Sequence, residues 1–545
     1  MRGLMMDTPL LVSAIARHAE RYFADREIVS VTREVPLHRY SYGDCMRRSR
    51  QLANALDKLN LSRGDRVATL AWNDYRHLEC YYGIGGAGYV CHTINPRLFA
   101  EQIVFIINHA EDKWLFIDPM FVPLIEKLAG KLPALEGCVV MTDEENMPRT
   151  SLKAAVSYES LIGRESGEYD WPKLDENDAV ALCYTSGTTG DPKGVLYSHR
   201  STVLHAYAGI APDVLNLSNR DCVLPVVPLF HVNAWGIPYS ALIAGAKLVL
   251  PGAKMGDGEA LYELLEGEGV TTALGVPTIW SMLLQYAAKT GKRLNKLQRT
   301  CIGGAAVPES MIREFQEKHD VVVHQGWGMT ETSPLGACNT LKSSMETLSP
   351  EEKIRIGAKA GRGIFGIEMR IIDDEGNELP WDGKAFGALQ VRGAWVCSGY
   401  FRLEGQSETH KPDGWFDTGD VGTIDPEGYL QITDRTKDVI KSGGEWISSI
   451  QVENVAVAHP AVAEAAVIGV AHEKWLERPL LIVIKAEGRD VTKDEMLAWF
   501  EGKIAKWWLP DDVVFVDEIP HTATGKIKKV DLRKQFAGYR LPMQA

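Results

Sequence analysis

The chain has 545 residues, a formal net charge of −13, and 45% hydrophobic against 24% charged residues. This length exceeds what one hydrophobic core usually supports, so two or more domains are expected. The negative charge argues against a nucleic-acid backbone as the main ligand, and anionic substrates must instead meet local cations. Nine cysteines without CxxC pairs predict reduced thiols in a cytoplasmic protein.

Two segments resemble a signal peptide or a membrane span. Near the N-terminus, Thr8 and Pro9 predict the N-cap and first turn of an amphipathic helix, which we favour over a cleaved signal peptide. The stretch from Cys222 to Ala246 contains no Asp, Glu, Lys or Arg, but prolines and polar residues interrupt it. We therefore interpret it as buried core that lines a cavity and not as a membrane span.

Helical and strand patterns alternate in the first part of the chain, which predicts a layered α/β domain. Tyr42 to Leu59 has helical periodicity, whereas Arg66 to Ala71 and Trp114 to Asp118 have strand character. Further along, Asp373 to Gly383 predicts a turn-rich surface hairpin, and the strand pattern YLQIT ends at Thr433.

Three glycines, Gly83, Gly85 and Gly88, satisfy the dinucleotide pattern GxGxxG. The preceding residues continue a helical pattern, and no clear strand enters the first glycine, so the context of that motif is missing. Helix packing through small residues is the favoured interpretation over a nicotinamide site.

A stretch of small hydroxyl and glycine residues follows a predicted buried strand, Ala179 to Cys183. Glycines let backbone N–H groups approach an anion, hydroxyls donate hydrogen bonds, and a lysine adds a point charge. The stretch therefore predicts a phosphate-binding loop, although Pro192 before the lysine separates it from a Walker loop, and a plain flexible linker is the alternative. The candidate phosphate ligands are Thr185, Ser186, Gly187, Thr188, Thr189, Gly190 and Lys193.

The string YTSGTTGDPKGVLYSH, Tyr184 to His199, resembles the phosphate-loop signature of the adenylate-forming superfamily. That superfamily comprises acyl-CoA synthetases, firefly-type luciferases and peptide-synthetase adenylation domains, and later motifs extend the resemblance over most of the chain. It implies a large N-terminal domain of layered α/β subdomains and a small mobile α+β C-terminal domain. It also implies ATP and CoA as substrates and Mg²⁺ as cofactor.

Two further strings predict the adenine site. Residues at the end of CIGGAA lack bulk, so a planar ring can lie against their backbone, and the string HQGWGMTETSP supplies an aromatic wall in Trp327 and oxygen ligands in Thr330 and Glu331. By resemblance, Glu331 and Thr185 hold the Mg²⁺ that bridges the ATP phosphates. The remaining candidate nucleotide residues here are Gly304, Ala305, Ala306, Gln325, Gly326, Gly328 and Met329.

The acyl pocket is predicted from DCVLPVVPLFH, Asp221 to His231, a strand pattern that ends in an imidazole. The resemblance places His231, Val232, Trp235, Gly303 and Pro334 around the acyl group. Their apolar character favours an aliphatic tail over an amino acid, whose amine needs an acidic partner. Whether Trp235 is a fixed floor or a movable gate stays open.

The C-terminal motifs are assigned by resemblance. Asp420 and Arg435 match ribose- and phosphate-binding positions, and Lys437 matches the pivot of a hinge at 434–437 that separates a large domain, 1–433, from a small one, 434–545. Lys526 matches the catalytic lysine. The remaining candidates are Lys441 and Trp446 for the nucleotide and Ser442, Gly443, Gly444 and Glu445 for CoA, with a surface hairpin turn as the alternative for the last group.

Two neighbouring lysines, Lys528 and Lys529, are predicted to be surface charges. The whole chain predicts an AMP-forming acyl-CoA synthetase that acts on a medium- to long-chain fatty acid, with a 3-methylmercaptopropionate ligase as the alternative. A luciferase-like oxygenase, a carrier-loading domain and a non-enzymatic binding module are more distant rivals. A homodimer is expected by resemblance to bacterial fatty acyl-CoA synthetases.

Overall fold

The structure, a computed structural model, describes residues 1, 3–185, 191–403, 407–442, 445–472, 474–521 and 527–542. In this part of the chain the α-helices are α1 Val12–Phe23, α2 Tyr42–Leu56, α3 Tyr75–Gly86, α4 Ala100–Ala110, α5 Val122–Leu128, α6 Tyr158–Ile162, α7 His199–Gly209, α8 Ile237–Ala244, α9 Gly258–Gly267, α10 Pro277–Thr290, α11 Glu309–His319, α12 Pro350–Gly357, α13 Ser449–Val457, α14 Lys493–Trp499 and α15 Lys529–Gln535.

The strands in the same residues are β1 Glu27–Ser30, β2 His38–Ser41, β3 Arg66–Leu70, β4 Val90–Thr93, β5 Trp114–Ile117, β6 Gly137–Val140, β7 Val156–Ser157, β8 Ala179–Thr185, β9 Lys193–Ser198, β10 Cys222–Pro225, β11 Lys247–Leu250, β12 Thr272–Gly275, β13 Arg299–Gly303, β14 Val322–Gly328, β15 Leu335–Cys338, β16 Arg362–Gly363, β17 Ile367–Ile372, β18 Phe386–Gly393, β19 Phe416–Ile424, β20 Leu430–Arg435, β21 Ile440–Ser442, β22 Glu445–Ile447, β23 Val462–His472, β24 Leu476–Lys485 and β25 Asp512–Phe515.

Two largely parallel sheets form the first part of the molecule. One has the order β7-β6-β5-β3-β4-β8-β9, and the other β16-β15-β14-β13-β12-β10-β11-β1-β2. Among the described residues of these two sheets, the antiparallel pairs lie at or next to the edges and involve β9, β2, β15 and β16. Parallel strands buried on both faces need continuous apolar sequence, which explains the unbroken runs in β5 and β8.

Helix α3 lies between these two sheets and is buried along its whole length. It contacts β3, β4 and β8 of one sheet and β1 of the other. Its glycines permit this packing, because an added Cβ at Gly83 would lie 2.7 Å from Leu52 and one at Gly85 would lie 2.6 Å from Val180. The first two glycines of the GxGxxG pattern therefore serve helix packing, as predicted, whereas Gly88 follows the helix with a φ of 83°.

Two local predictions are corrected by the structure. Helix α1 begins at Val12 with Leu11 as N-cap, so Thr8 and Pro9 precede it. The predicted strand from Asp221 to His231 ends at Pro225, because proline cannot donate to a sheet ladder and Pro228 follows. The apparent membrane segment therefore divides into the short strand β10 and the eight-residue helix α8. Among the described helices none has the length and apolar character to cross a bilayer.

Strands β17 to β20 form an antiparallel four-stranded sheet. The predicted hairpin from Asp373 to Gly383 connects β17 with its antiparallel partner β18. Strand β20 runs two residues beyond the predicted end at Thr433, because Asp434 still pairs with Val421 and Arg435 with Asp420. The polar turn between the two parts of the chain therefore starts at Thr436.

The C-terminal part contains the sheet β22-β21-β24-β23, with β25 beside β24, and the helices α13, α14 and α15. Its core is formed by apolar residues of β23 and β24, among them Val467 and Leu481, together with Phe500. The prediction that Lys528 and Lys529 are surface charges is wrong for Lys529, which is only 8% exposed.

Candidate active site

A cavity of about 420 Å³ lies where β8, β13 and β14 end. In α/β proteins the carboxyl ends of parallel strands are the usual place for ligands, because loops and helix termini converge there. The predicted site residues that line this cavity are Thr185, His231, Val232, Trp235, Gly303, Gly304, Gly326, Trp327, Gly328, Met329, Thr330, Glu331, Pro334, Arg435 and Lys437. Residues that are far apart in sequence thus share one space.

The indole of Trp327 is held in a fixed orientation. Its Nε1–H donates to Asp420 Oδ2 at 2.9 Å, and its ring lies so close to Gly336 that an added Cβ there would be 2.4 Å from it. Gly328 is required next to it, because an added Cβ would lie 1.8 Å from the carbonyl oxygen of Pro334. A flat aromatic wall is therefore preorganised for stacking.

Asp420 connects this wall to the polar turn at the end of β20. The carboxylate is 3% exposed, and its Oδ1 lies 2.7 Å from Arg435 Nε. The contact with Arg435 follows from the pairing of Asp420 with Arg435 in the β19–β20 ladder, whereas the contact with Trp327 joins this sheet to β14 of another sheet. Each carboxylate oxygen has a second lone pair, so Asp420 retains acceptor capacity for a hydroxyl ligand.

Glu331 is a buried acid on the cavity wall, 6% exposed. Burial raises the pKa of its carboxyl group, and the phenol of Tyr400 donates to its Oε1 at 2.9 Å. Lys193 Nζ lies over the face of the same ring, 4.8 Å from its centroid. Tyr400 thus contacts both the lysine of the predicted phosphate loop and the acid predicted to hold the metal.

The predicted acyl end of the cavity carries an unusual backbone. Val232, Asn233, Ala234 and Trp235 all have positive φ, between 46° and 57°, and Gly236 follows at 79°. We call Val232–Gly236 the left-handed turn. Non-glycine residues rarely adopt this conformation, since Cβ then approaches the following carbonyl oxygen.

The left-handed turn brings Trp235 against Gly303 at the end of β13, where an added Cβ would lie 3.1 Å from the indole Cη2. Side chains around the turn hold it. Tyr81 and Cys183 both approach Asn233 Oδ1, at 3.2 and 3.4 Å. In this structure Trp235 therefore closes off the space beside Gly303.

The buried imidazole of His205 packs against the end of the left-handed turn. His205 is 2% exposed, and an added Cβ at Gly236 would lie 2.7 Å from its Nδ1. Its Nε2 accepts a hydrogen bond from the backbone N–H of Leu335 at 3.2 Å. Burial lowers the pKa of His205 to about 4, so the ring is neutral near pH 7.

Some predicted residues are placed outside the cavity lining. Gln325 accepts a hydrogen bond from the backbone of Val307 at 3.2 Å and thus supports the adjoining loop. Ser442 is buried, and Arg478 donates to its Oγ at 3.3 Å. The described residues predicted for the site but outside this lining are Lys193, Ala305, Ala306, Gln325, Asp420, Lys441 and Ser442.

Other predicted positions lie outside the described residues. These are Ser186, Gly187, Thr188, Thr189, Gly190, Gly443, Gly444 and Lys526, and the side chains of Glu445 and Trp446. Their neighbours are nevertheless informative. Ile527, which follows Lys526, lines the cavity, and Ser442 pairs with Glu445 across a two-residue connection.

Sequence reasoning missed two cavity neighbours. Tyr400 contacts Glu331, and its only signal is an aromatic residue beside Gly399. Arg97 lines the cavity from the Asn95-Pro96 turn, where burial lowers the pKa of its guanidinium. The positive charge of Arg97 in that turn was visible in the sequence. No neighbouring motif indicated what it would contact, so it could not be assigned to the site.

Comparison with solved structures defines the class of fold. An anthranilate CoA ligase in complex with anthranoyl-AMP superposes with a TM-score of 0.86 at 25% identity, covering 97% of this chain and 98% of that one. The two sheets, the antiparallel sheet and the C-terminal unit are thus the architecture of an adenylate-forming ligase.

The sequence matches the family model of AMP-binding enzymes over residues 15–401 and that of the AMP-binding enzyme C-terminal domain over residues 451–526. A 3-methylmercaptopropionyl-CoA ligase of Ruegeria lacuscaerulensis is 52% identical, covering 98% of this chain and 99% of the relative. A medium-chain-fatty-acid–CoA ligase of Ectopseudomonas oleovorans is 50% identical, covering 98% of each. The chain belongs to the AMP-binding enzyme family. The predicted superfamily, fold class and AMP-forming acid–thiol ligase class are confirmed.

Proposed function

We propose that this enzyme converts a carboxylic acid, ATP and CoA to an acyl-CoA, AMP and pyrophosphate, and that the acid is a medium- to long-chain fatty acid. The observation that carries this proposal is the single cavity shared by Thr185, Glu331, Trp327 and the apolar residues around Trp235. A nucleotide phosphate and an acyl tail can meet there.

The chemistry requires activation, because a carboxylate is a poor electrophile whose leaving group would be oxide. The substrate carboxylate attacks the α-phosphorus of ATP, pyrophosphate leaves, and the acyl-adenylate results. The CoA thiol then attacks the acyl carbonyl and releases AMP. Trp327 stacks on the adenine, Asp420 accepts from the ribose hydroxyls, and Arg435 contacts the ribose or the α-phosphate.

The lysines have separate roles in this proposal. Lys193 adds positive charge to the phosphate loop, and it lies over the ring of Tyr400, whose hydroxyl donates to Glu331. Lys526 stabilises the charge that develops at the α-phosphate. The lining of the cavity by Ile527, the next residue in the sequence, supports this assignment.

The residues present fit a magnesium ion. Glu331 offers a carboxylate and Thr185 a hydroxyl on the wall of one cavity, and hard oxygen ligands are those that Mg²⁺ prefers. Burial raises the pKa of Glu331, and a nearby cation favours its charged form. When bound, Mg²⁺ would neutralise charge on the ATP phosphates.

The second half-reaction is proposed to follow a rotation of the small domain about Lys437. That rotation withdraws Lys526 and brings the segment from Ser442 to Glu445 to the acyl carbonyl. It is needed because a single arrangement of the domains cannot hold Lys526 at the phosphates and CoA at the acyl carbonyl together. The domain division at 433/434 belongs to the same proposal. The polar turn from Thr436, which follows the end of β20, supports the hinge at 434–437 that accompanies this division.

A second candidate acid is 3-methylmercaptopropionate. It is favoured by the position of Trp235 against Gly303, which shortens the acyl pocket, and by the 52% identity to a ligase of that name. Measurement of CoA-dependent AMP release with linear acids of increasing length and with 3-methylmercaptopropionate tests both candidates. Absence of AMP release with every acid would contradict the proposal.

We also propose a cytoplasmic homodimer. All nine cysteines lie within the described residues and are free thiols, which supports a reducing compartment. The dimer rests on resemblance to bacterial fatty acyl-CoA synthetases. Light scattering after size-exclusion chromatography should give twice the mass of the 60.3 kDa chain, and a monomer mass would refute it.

A further inference from the structure

A buried group of charged side chains joins β20 to the C-terminal unit. We call Asp434, Ser449, Glu453 and Lys529 the junction cluster. Asp434 is 1% exposed, and its Oδ2 accepts from the backbone N–H and the Oγ of Ser449 at 2.8 and 2.5 Å. Lys529 Nζ lies 2.7 Å from Glu453 Oε1 and also donates to Ser449 Oγ. The cluster therefore connects β20, α13 and α15.

Removing these groups from water is unfavourable unless their contacts are well formed, and packed apolar residues would often give equal stability. The cluster holds two carboxyl groups against one ammonium, and burial raises the pKa of Glu453 to about 6. The backbone N–H of Val467 donates to Glu453 at 2.7 Å and fixes that carboxylate. Such a cluster specifies one arrangement of its three elements more strictly than an apolar contact would.

The position of the cluster relates it to the cavity. Asp434 directly precedes Arg435, whose guanidinium is paired with Asp420. Lys529 lies two residues after Ile527, which lines the cavity. A second ion pair on the same helix, Arg533 to Asp438 at 2.7 Å, holds α15 against the turn after β20. The start of α15, two residues after Ile527, is thus held close to the end of β20.

We propose that Lys529 and Asp434 are positioning residues for the adenylation half-reaction, because their buried contacts hold the segment that follows Lys526 against the end of β20. This inference rests on the proposed function. Asp434 precedes the proposed pivot at Lys437, whereas Ser449, Glu453 and Lys529 follow it. A rotation about Lys437 separates Asp434 from its partners, so the cluster favours the first half-reaction and is not needed in the second.

The two half-reactions can be measured separately. ATP–pyrophosphate exchange with octanoate and with 3-methylmercaptopropionate reports adenylation, and conversion of synthetic octanoyl-AMP and CoA to octanoyl-CoA reports thiol transfer. Lys529→Met should lower exchange by about 10- to 100-fold, as expected for a misplaced catalytic segment, and leave transfer within about threefold of the wild-type rate. Asp434→Asn should likewise lower exchange and spare transfer. It is the second test of the proposal if Lys529→Met fails to fold.

Lys528→Met is the matched control, since Lys528 forms an ion pair with Asp531 at 2.7 Å with both side chains about one-third exposed. Surface pairs of this kind contribute little, so both half-reactions should remain at wild-type rates. Equal losses in both half-reactions for Lys529→Met and Asp434→Asn, or a loss in neither, would overturn the positioning role.

Hydrogen exchange at the Ser449 amide gives a readout that is independent of activity. That N–H donates to Asp434 in the wild type, so it should exchange faster in Lys529→Met and Asp434→Asn and at the wild-type rate in Lys528→Met. If the wild type makes no adenylate from any acid, the proposed function fails, while this amide still reports whether Lys529 holds α13 against β20. Unchanged exchange in both variants would overturn the proposal.

Discussion

Replacement of Gly303 by alanine tests the geometry of the acyl pocket. The added Cβ would lie 2.9 Å from the carbonyl oxygen of Gly326 and 3.1 Å from Cη2 of Trp235. The carbonyl belongs to the β13–β14 ladder and cannot move independently, whereas the indole can. The indole should therefore shift into the space that an acyl tail would occupy.

Overpacking of this kind typically costs about 1 to 3 kcal/mol. If the same free energy is lost when the acyl tail binds in the transition state, kcat/KM falls by about 5- to 150-fold. The loss should be greatest for acids whose tails reach Trp235 and smallest for the shortest acid. The assay is ATP–pyrophosphate exchange across a series of linear acids, together with thermal unfolding.

Gly267→Ala is a suitable control, because no atom lies within 4 Å of the added Cβ at this exposed helix end. It should leave the profile of activity against chain length unchanged. If Gly303→Ala also left both that profile and the unfolding temperature unchanged, the contact between Gly303 and Trp235 could not be the one that limits the pocket.

Three further predictions concern the lysines and a buried imidazole. Lys526→Ala should reduce adenylation by about 10²- to 10³-fold, as for loss of one preorganised donor, and intact adenylation with failed thioester formation would contradict the assignment. Lys437→Pro should preserve pyrophosphate exchange and impair thioester formation, because proline restricts rotation at the pivot; equal loss of both steps would reject the hinge. The pKa of His205, lowered by burial from 6.5 to about 4, means that the fold favours the neutral ring. Its contribution to stability is complete above pH 6.5 and is lost as the pH falls toward 4, by up to about 3 kcal/mol. Unfolding temperatures measured across this range should depend less on pH in His205→Gln, and identical slopes in both proteins would show that another group titrates.

The layers of the fold were predictable because parallel strands leave a strong signal. The apolar runs that became β5 and β8, and the helical period that became α2, depend only on burial and local periodicity. The strand predicted through His231 was wrong beyond Pro225, since an apolar run alone does not reveal a chain that leaves its sheet.

The candidate site was predictable where motifs determine chemistry and not where contacts join distant strands. Trp327 and Asp420 were each assigned from their own motif, but their hydrogen bond depends on how two different sheets meet. Tyr400 was missed for the same reason, because its partner Glu331 is 69 residues away. The burial of Lys529 was also missed, since its partners Glu453 and Ser449 lie more than 70 residues earlier, in α13.

The left-handed turn has a consequence for how substrate preference can change in this enzyme. Each of its non-glycine residues is held in a conformation that is unfavourable by about 1 to 2 kcal/mol, so the surrounding contacts must supply several kcal/mol to maintain it. Because neighbouring residues share that strain, relaxation at one position releases the others. Mutations that remove the contacts of Tyr81 or Cys183 with Asn233 should therefore change the accepted acids abruptly from one size range to another, and not by one carbon at a time.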